Sequence, residues 1–138
     1  MKLRGAKIFA TCGSNEKINF LRELGVDYPI NYRADDYKMG IKKIIGEKRL
    51  DVVFDSLGGK YISDGMKLLN HGGRMVCYGG AELNSAKNIF SKLIKIFQFG
   101  FYHPGLLMMN SKSLIGVNML RISDNKPEIL QHVLHEVI

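Results

Sequence analysis

The 138-residue chain has the length of one domain and the apolar and charged fractions of an ordinary soluble globular protein. Its net charge of +7 comes from scattered lysines and arginines with no recognition motif, so no nucleic acid is expected as a partner. Cys12 and Cys77 are too few and too far apart for a disulfide framework or a zinc knuckle. No apolar run approaches the ~20 residues of a membrane span and no secretory leader is visible, so a reducing, cytoplasmic setting is expected.

After Gly5, Lys7–Ala10 reads as a strand that Thr11-Cys12-Gly13-Ser14 ends. Ser14 is the expected N-cap of a helix over Asn15–Leu24, with Ile18, Leu21 and Leu24 facing inward and Gly25 as the stop. Val26–Tyr32 is a short strand, which Pro29 assigns to a sheet edge. Asp35 or Asp36 caps the next helix. Its face is Tyr37, Ile41, Ile44 and Ile45, and Gly46 ends it.

Leu50–Asp55 follows as a strand. Its run Val52-Val53-Phe54 is the pattern of a strand buried on both faces. Asp55, Ser56, Gly58 and Gly59 come where that strand reaches its carboxyl edge, the edge at which open α/β sheets bind ligands.

Lys60–Asn70 reads as a helix with Ile62, Met66 and Leu69 on one side, terminated by His71-Gly72-Gly73. Arg74–Tyr78 is a strand that Gly79-Gly80 close. Residues 81–112 are less regular. Ile89, Phe90, Leu93, Ile94 and Phe97 make an amphipathic helical stripe with Lys92 and Lys95 off it, and Gly100 and Pro104-Gly105 interrupt the pattern. Leu114–Met119 is the last strand. Asp124 or Asn125 caps a final helix with Pro127 near its first position and Leu130, Val133, Leu134 and Val137 inward. Strands alternating with helices in this way predict an α/β fold with a parallel sheet covered on both faces.

The stretches KIFATCGSNEKINFLRELGVDYPINYRADDY, LDVVFDSLGG and GGRMVCYGG stand in this order. Together they resemble the cofactor domain of the medium-chain dehydrogenases/reductases, in particular the zinc-free quinone oxidoreductase group with its vesicle amine transport protein-like branch. FQFGFYHPGLLMMNSKSLIGVNMLRI is similar to that branch as well. The resemblance covers essentially the whole chain and implies a doubly wound parallel sheet of the Rossmann type. In the family a first strand and a Gly-rich phosphate turn precede KLRGAKIFA. Neither G-x-G-x-x-G nor its A-x-x-G-x-x-G variant occurs in this sequence. Residues 1–138 are therefore expected to be part of a dinucleotide-binding domain lacking that first strand and turn, without the family's catalytic domain.

An NAD-selective fold places Asp or Glu at the end of the second strand for the ribose 2′-OH. Here Gly13, Ser14 and Lys17 stand at that strand end. A small neutral corner beside a lysine suits a 2′-phosphate, and in the resembling family the matching Lys and the Tyr of the next strand end bind it. Those positions are Lys17 and Tyr32, so the resemblance implies NADPH. The plainer reading of the same residues is an N-cap serine, a solvated lysine and a half-buried edge tyrosine. By the same resemblance Asp55, Ser56, Leu57 and Gly58 lie near the cofactor riboses, and Tyr78, Gly79 and Gly80 approach the nicotinamide. Asn118 matches a position near the carboxamide. The plainer readings are turn glycines and a polar residue ending a strand.

His71, His103, His132 and His135 show no metal-ligand spacing with a carboxylate or cysteine, and no metal site is expected. Cys77 reads as a core thiol, and no catalytic acid, base or nucleophile stands out. The resemblance implies a cofactor-binding segment of an oxidoreductase that passes hydride from NADPH to a quinone or another small α,β-unsaturated carbonyl. It also implies a homodimer through Leu114–Met119, and a chain inactive by itself. A non-catalytic module acting on a protein or a membrane surface through residues 88–109 is the second reading. A different doubly wound binder such as a methyltransferase, which DVVFDSLGG alone would fit, is the third.

Overall fold

The computed structural model describes residues 5–34, 36–46, 49–79 and 88–137. The chain forms two compact units, Met1–Arg49 and Leu50–Ile138, each with its own parallel sheet.

The first unit holds β1 (Phe9–Cys12), α1 (Asn15–Glu23), β2 (Tyr28–Asn31) and α2 (Tyr37–Ile45). β1 begins two residues later than the apolar pattern suggests. The Ile8 N–H donates to the Asp27 carboxylate at 2.8 Å, and the ladder starts with Tyr28 N–H on the Ile8 carbonyl. Phe9 stacks on its register partner Tyr28 with centroids 4.6 Å apart, a cross-strand pair that fixes the alignment. α1 ends at Gly25, whose φ of +80° only glycine adopts without strain. Asp36 caps α2 by accepting from Lys38 N–H at 3.0 Å, while Asp35 lies outside the described residues. Ile41 of α2 is buried, as is Ile30 of β2. Gly40 brings α2 close to β2, since a Cβ there would touch the Ile30 Cδ1 at 3.5 Å. Leu24 and Ile44, expected inward, are exposed.

The second unit orders its strands β3 (Leu50–Asp55), β4 (Leu69–Cys77), β5 (Ser113–Gly116). α3 (Lys60–Leu68) crosses from β3 to β4. Its Ile62 and Met66 meet Leu69 and Met75 of β4 in a buried cluster, against which Leu50, Val53, Phe99, Tyr102, Leu107 and Leu114 pack. Gly65 permits this approach, since a Cβ there would stand 2.9 Å from the Met75 sulfur. The expected helix stops two residues early. Leu69 instead pairs with Leu50, and the Asn70–Gly73 stretch forms an irregularity before Arg74 pairs with Val52.

β3 corrects the expectation of burial on both faces. Val53 and Asp55 face the α3 side, whereas Val52 and Phe54, at 53 % exposure, lie open on the other. Alternation along a strand puts neighbours on opposite faces, and helix packing covers only one of them here.

Among the described residues between β4 and β5 stand the helices α4 (Ile89–Gln98) and α5 (Pro104–Met109). β5 is shorter than Leu114–Met119 because Asn118 starts a helix that the sequence pattern did not show, α6 (Met119–Asn125). Asn125 belongs to the end of α6, donating to the Arg121 carbonyl, and neither it nor Asp124 caps the last helix. α7 (Pro127–Val137) begins at Pro127 as expected, but Val133 and Leu134 are exposed, not inward, and nothing is described of the Val137 side chain. The α4 stripe forms as a helix with Ile89, Leu93, Ile94 and Phe97 exposed.

Leu69 and Met75 are fully buried, while Phe101 is 98 % exposed. Leu69→Ala is therefore expected to lower stability by about 2–5 kcal/mol, and Phe101→Ala to change it by no more than about 0.5 kcal/mol. Urea titration of the two variants decides this, and equal losses would contradict the placement of the core.

Candidate functional site

Parallel strands place all their carboxyl ends on one edge of a sheet, and loops leaving that edge can converge on one ligand. In the first unit, the carboxyl ends of β1 and β2 come together through Tyr32 N–H, which donates to the Cys12 carbonyl at 3.0 Å. Gly13 follows β1 and is the close-packed point. A Cβ there would stand 3.0 Å from the Tyr32 hydroxyl and 3.4 Å from Arg33 Nε. Ser14 occupies the N-cap of α1 with an extended backbone, and its hydroxyl makes no capping hydrogen bond. Lys17 is exposed in the first turn of α1. Asn31 steadies the corner: its amide donates to Asn15 Oδ1 at 2.8 Å and its Oδ1 accepts from Arg33 N–H at 3.1 Å.

Gly13, Ser14, Lys17 and Tyr32 thus surround one strand-end corner. Arg33, which the sequence reading passed over, joins them. Its signal was available as a basic residue directly after the tyrosine at the strand end. An open cleft of about 550 Å³ lies along β2 between α1 and α2, with Ile18, Pro29 and Met39 beside Arg22 and Lys43. None of the expected site residues lines it.

In the second unit, Asp55 ends β3 with its carboxylate buried. One oxygen accepts from Gly58 N–H at 2.8 Å and the other from Leu57 N–H at 3.3 Å. Gly58 and Gly59, with φ of +81° and +58°, then turn the chain into α3. The Asp55 side chain is therefore occupied by its own turn.

Gly58 is also not open to solvent. The Phe99 ring lies against it, and a Cβ there would fall 2.5 Å from Phe99 Cζ. Glycine at this position is required by an internal contact. Nothing in the local sequence around Gly58 announces a partner so distant along the chain.

At the end of β4, Tyr78 N–H donates to the Asp55 carbonyl. Gly79 lets its backbone approach Ser56, whose carbonyl oxygen would be 2.5 Å from a Cβ. Tyr78, Gly79 and Ser56 are exposed, and Gly80 lies outside the described residues. Val117 N–H donates to the Cys77 carbonyl at 2.8 Å, carrying the chain from β5 to Asn118. Asn118 Oδ1 accepts from Arg121 N–H at 3.1 Å as the N-cap of α6. Asn118 is therefore a helix cap beyond the end of β5.

Cys77 sits behind this edge. Burial pushes its thiol above the ordinary range, and the Asp55 carboxylate adds to the shift. Burial likewise raises the Tyr102 hydroxyl, with Cys77 adding and a hydrogen bond with Ser63 opposing. These causes keep both groups protonated at neutral pH and unsuited to nucleophilic attack. Among the described residues no three His, Cys, Asp or Glu side chains gather as a metal site. His132 instead stands 3.4 Å from Glu136 on the surface of α7.

The family model for zinc-binding dehydrogenases matches residues 1–135. The chain is 30% identical over 133 residues to the synaptic vesicle membrane protein VAT-1 homolog of Danio rerio, covering 95% of this chain and 27% of that protein. It is 35% identical over 131 residues to the quinone oxidoreductase of Homo sapiens, covering 93% of this chain and 33% of that protein. The chain thus spans about a third or less of these relatives' length. The nucleotide-binding subdomain of the enoylreductase domain of PpsC from Mycobacterium tuberculosis superposes with a TM-score of 0.67 at 27% identity, covering 99% of this chain and 70% of that one. The fold is accordingly the Rossmann-like α/β fold of such enoyl reductase domains.

Removing the Asp55 carboxylate leaves two N–H groups of the turn without their acceptor. Asp55→Ala is expected to cost about 1–3 kcal/mol in urea titration, and Asp55→Asn, which keeps an acceptor oxygen, less. An Ala variant as stable as the parent would show that the turn is held by other contacts. In a Cys12→Ser background, Cys77 is expected to react with an alkylating reagent more slowly in the folded chain than in urea, at mildly alkaline pH. Equal rates would mean that the thiol is neither buried nor raised.

Proposed function

The chain belongs to the zinc-binding dehydrogenase family, and from that membership we propose that it is a cofactor-binding segment of an NADPH-dependent oxidoreductase. The proposed substrate is a quinone or another small α,β-unsaturated carbonyl. The observation that carries the NADPH preference is the corner at Gly13, where the Tyr32 hydroxyl and the Arg33 guanidinium converge on a position with no side chain and no carboxylate. A carboxylate there would bind a ribose 2′-OH and repel a 2′-phosphate. Two donors beside a nearby lysine suit the phosphate.

When bound, the cofactor supplies the hydride. The chain's own residues hold and orient it. Arg33 offers a rigid fork of N–H donors, Tyr32 a hydroxyl donor, and Lys17 a point charge in the first turn of α1. The backbone N–H groups opening α1 and the Ser14 hydroxyl add neutral donors. In the second unit, Ser56, Leu57, Tyr78 and Gly79 present backbone at the carboxyl edge for a ribose and the nicotinamide. Asp55 and Gly58 act one step behind them by fixing the turn. With Asn118 Oδ1 occupied by Arg121 N–H, its amide hydrogens are the groups suited to a carboxamide oxygen. The donor set a zinc ion needs does not occur among the described residues, and no step is assigned to a metal.

The reading extends to a dimer through β5, which pairs with β4 on one side and has no strand on the other among the described residues. The same reading makes this segment inactive by itself, because the Gly-rich turn that holds the cofactor pyrophosphate in the family does not occur in its sequence.

Titration of the 138-residue chain with NADPH and with NADH tests the proposal. Lys17→Ala and Arg33→Ala are each expected to weaken NADPH binding by about 1.5–3 kcal/mol, as loss of a charge-assisted contact does, and to leave NADH nearly unchanged. Equal losses for the two cofactors would remove the phosphate assignment. No binding of either would remove the cofactor reading.

A further inference from the structure

Among the described residues β2 pairs only with β1, and its other edge lies in the open cleft of the first unit. The Tyr28 and Tyr32 N–H groups donate to carbonyls at the β1 side. In a parallel ladder alternate residues turn to the same neighbour, so Pro29 and Asn31 turn outward. Pro29 has no N–H to give, and the Asn31 carbonyl already accepts from Ala34 N–H at 3.2 Å. These two residues therefore leave one donor, the Asn31 N–H, and one acceptor, the Pro29 carbonyl. That is too little for an added strand, which needs a ladder of both. The cleft, of about 550 Å³, has the size of a small-molecule site.

The cleft is polarised along its length. α1 starts beside the carboxyl end of β2, where the Asn31 amide donates to Asn15 Oδ1 at 2.8 Å, and runs back toward the amino end. α2 also starts at the carboxyl end, capped by Asp36, and passes Ile30 at Gly40. Arg22 and Lys43, in the last turns of the two helices, therefore line the cleft toward the amino end of β2. Both are exposed, and neither has an ion-pair partner among the described residues. Arg22 gives one nitrogen to Asn19 Oδ1 at 3.3 Å, which leaves the rest of its fork free. Ile18, Pro29 and Met39 line the middle, and Asp36 lines the other end. One Asp36 oxygen accepts from Lys38 N–H at 3.0 Å, and the other has no partner among the described residues. From the level of Asn15 to that of Arg22 the helix rises about 10 Å.

We propose that this cleft binds an elongated organic monoanion. Its carboxylate is held by Arg22 and Lys43, its apolar body lies over Ile18, Pro29 and Met39, and a hydroxyl at its far end donates to Asp36. A guanidinium fork and an ammonium are both donors to a carboxylate. The Asp36 carboxylate repels a second negative charge at its own end, so the ligand enters in one orientation. The inference does not rest on the cofactor reading, because Gly13, Ser14, Lys17 and Tyr32 do not line the cleft.

Nuclear magnetic resonance of the full chain, isotope-labelled at its methionine methyls, tests it by titration with para-hydroxyphenylpropionate. Met39→Leu identifies the Met39 signal. That signal is expected to move and to saturate. The methyl ester of the same compound, which has no charge, is expected to bind more than about tenfold more weakly. Phenylpropionate, which lacks the hydroxyl, is expected to bind about fivefold more weakly than the hydroxy acid. Arg22→Gln and Lys43→Gln are each expected to weaken the acid about fivefold and to leave the ester unchanged, while urea titration shows parental stability. A Met39 signal that does not move, equal binding of acid and ester to the parent chain, or acid binding that neither variant weakens would overturn the proposal. Phenylpropionate binding as tightly as the hydroxy acid would overturn the role given to Asp36.

Discussion

The carboxyl edge of the second unit depends on one buried carboxylate. Asp55 accepts from Leu57 and Gly58 N–H groups, and its own carbonyl accepts from Tyr78 N–H. One residue therefore closes the turn after β3, sets the start of α3 and ties in the end of β4. A buried acceptor that satisfies two backbone donors is hard to replace, because each donor left unpaired away from water costs about 1–3 kcal/mol. The core then follows from where α3 is launched. Ile62 and Met66 reach Leu69 and Met75 only if the helix begins at this turn and crosses β3 in this direction.

Glycine serves the same edge in a way that connects packing to ligand access. Gly58 admits the Phe99 ring, and Gly79 admits the Ser56 carbonyl. Both are needed for contacts inside the protein before any ligand is considered. A glycine-rich strand end is then not by itself an open cradle. At Gly13 the neighbours are the Tyr32 hydroxyl and an arginine nitrogen, which are donors able to turn toward an anion. That chemical difference is why the proposed specificity rests on the first unit and the positioning of the turn on the second.

The exposed apolar residues follow from the same arrangement. Each strand or helix has two sides, and the buried cluster of the second unit occupies one side of the elements that build it. Phe54 on β3, Phe97 on α4 and Leu134 on α7 belong to other sides.

The order of strands and helices was legible in the sequence, because hydrophobic period and Gly, Pro and Asp punctuation are local signals. Leu50–Asp55 and the starts of α1, α2, α3 and α7 emerged where those signals placed them. Of the residues at Gly13, Ser14 and Tyr32 were also legible, since they flank the ends of two adjacent strands, whereas Arg33 was not singled out. Burial was not. The run Val52-Val53-Phe54 is apolar throughout, but which faces are covered depends on helices elsewhere in the chain. The same holds for Val133 and Leu134. α6 was missed because Asn118 reads as the end of the strand, whereas in the fold its side chain caps a helix by accepting from Arg121 N–H. The roles of Asp55 and Gly58 were decided by a turn geometry and by Phe99, a residue far along the chain. Local pattern determined which elements this protein has. Only the tertiary structure determined which of their faces and polar groups remain available to another molecule.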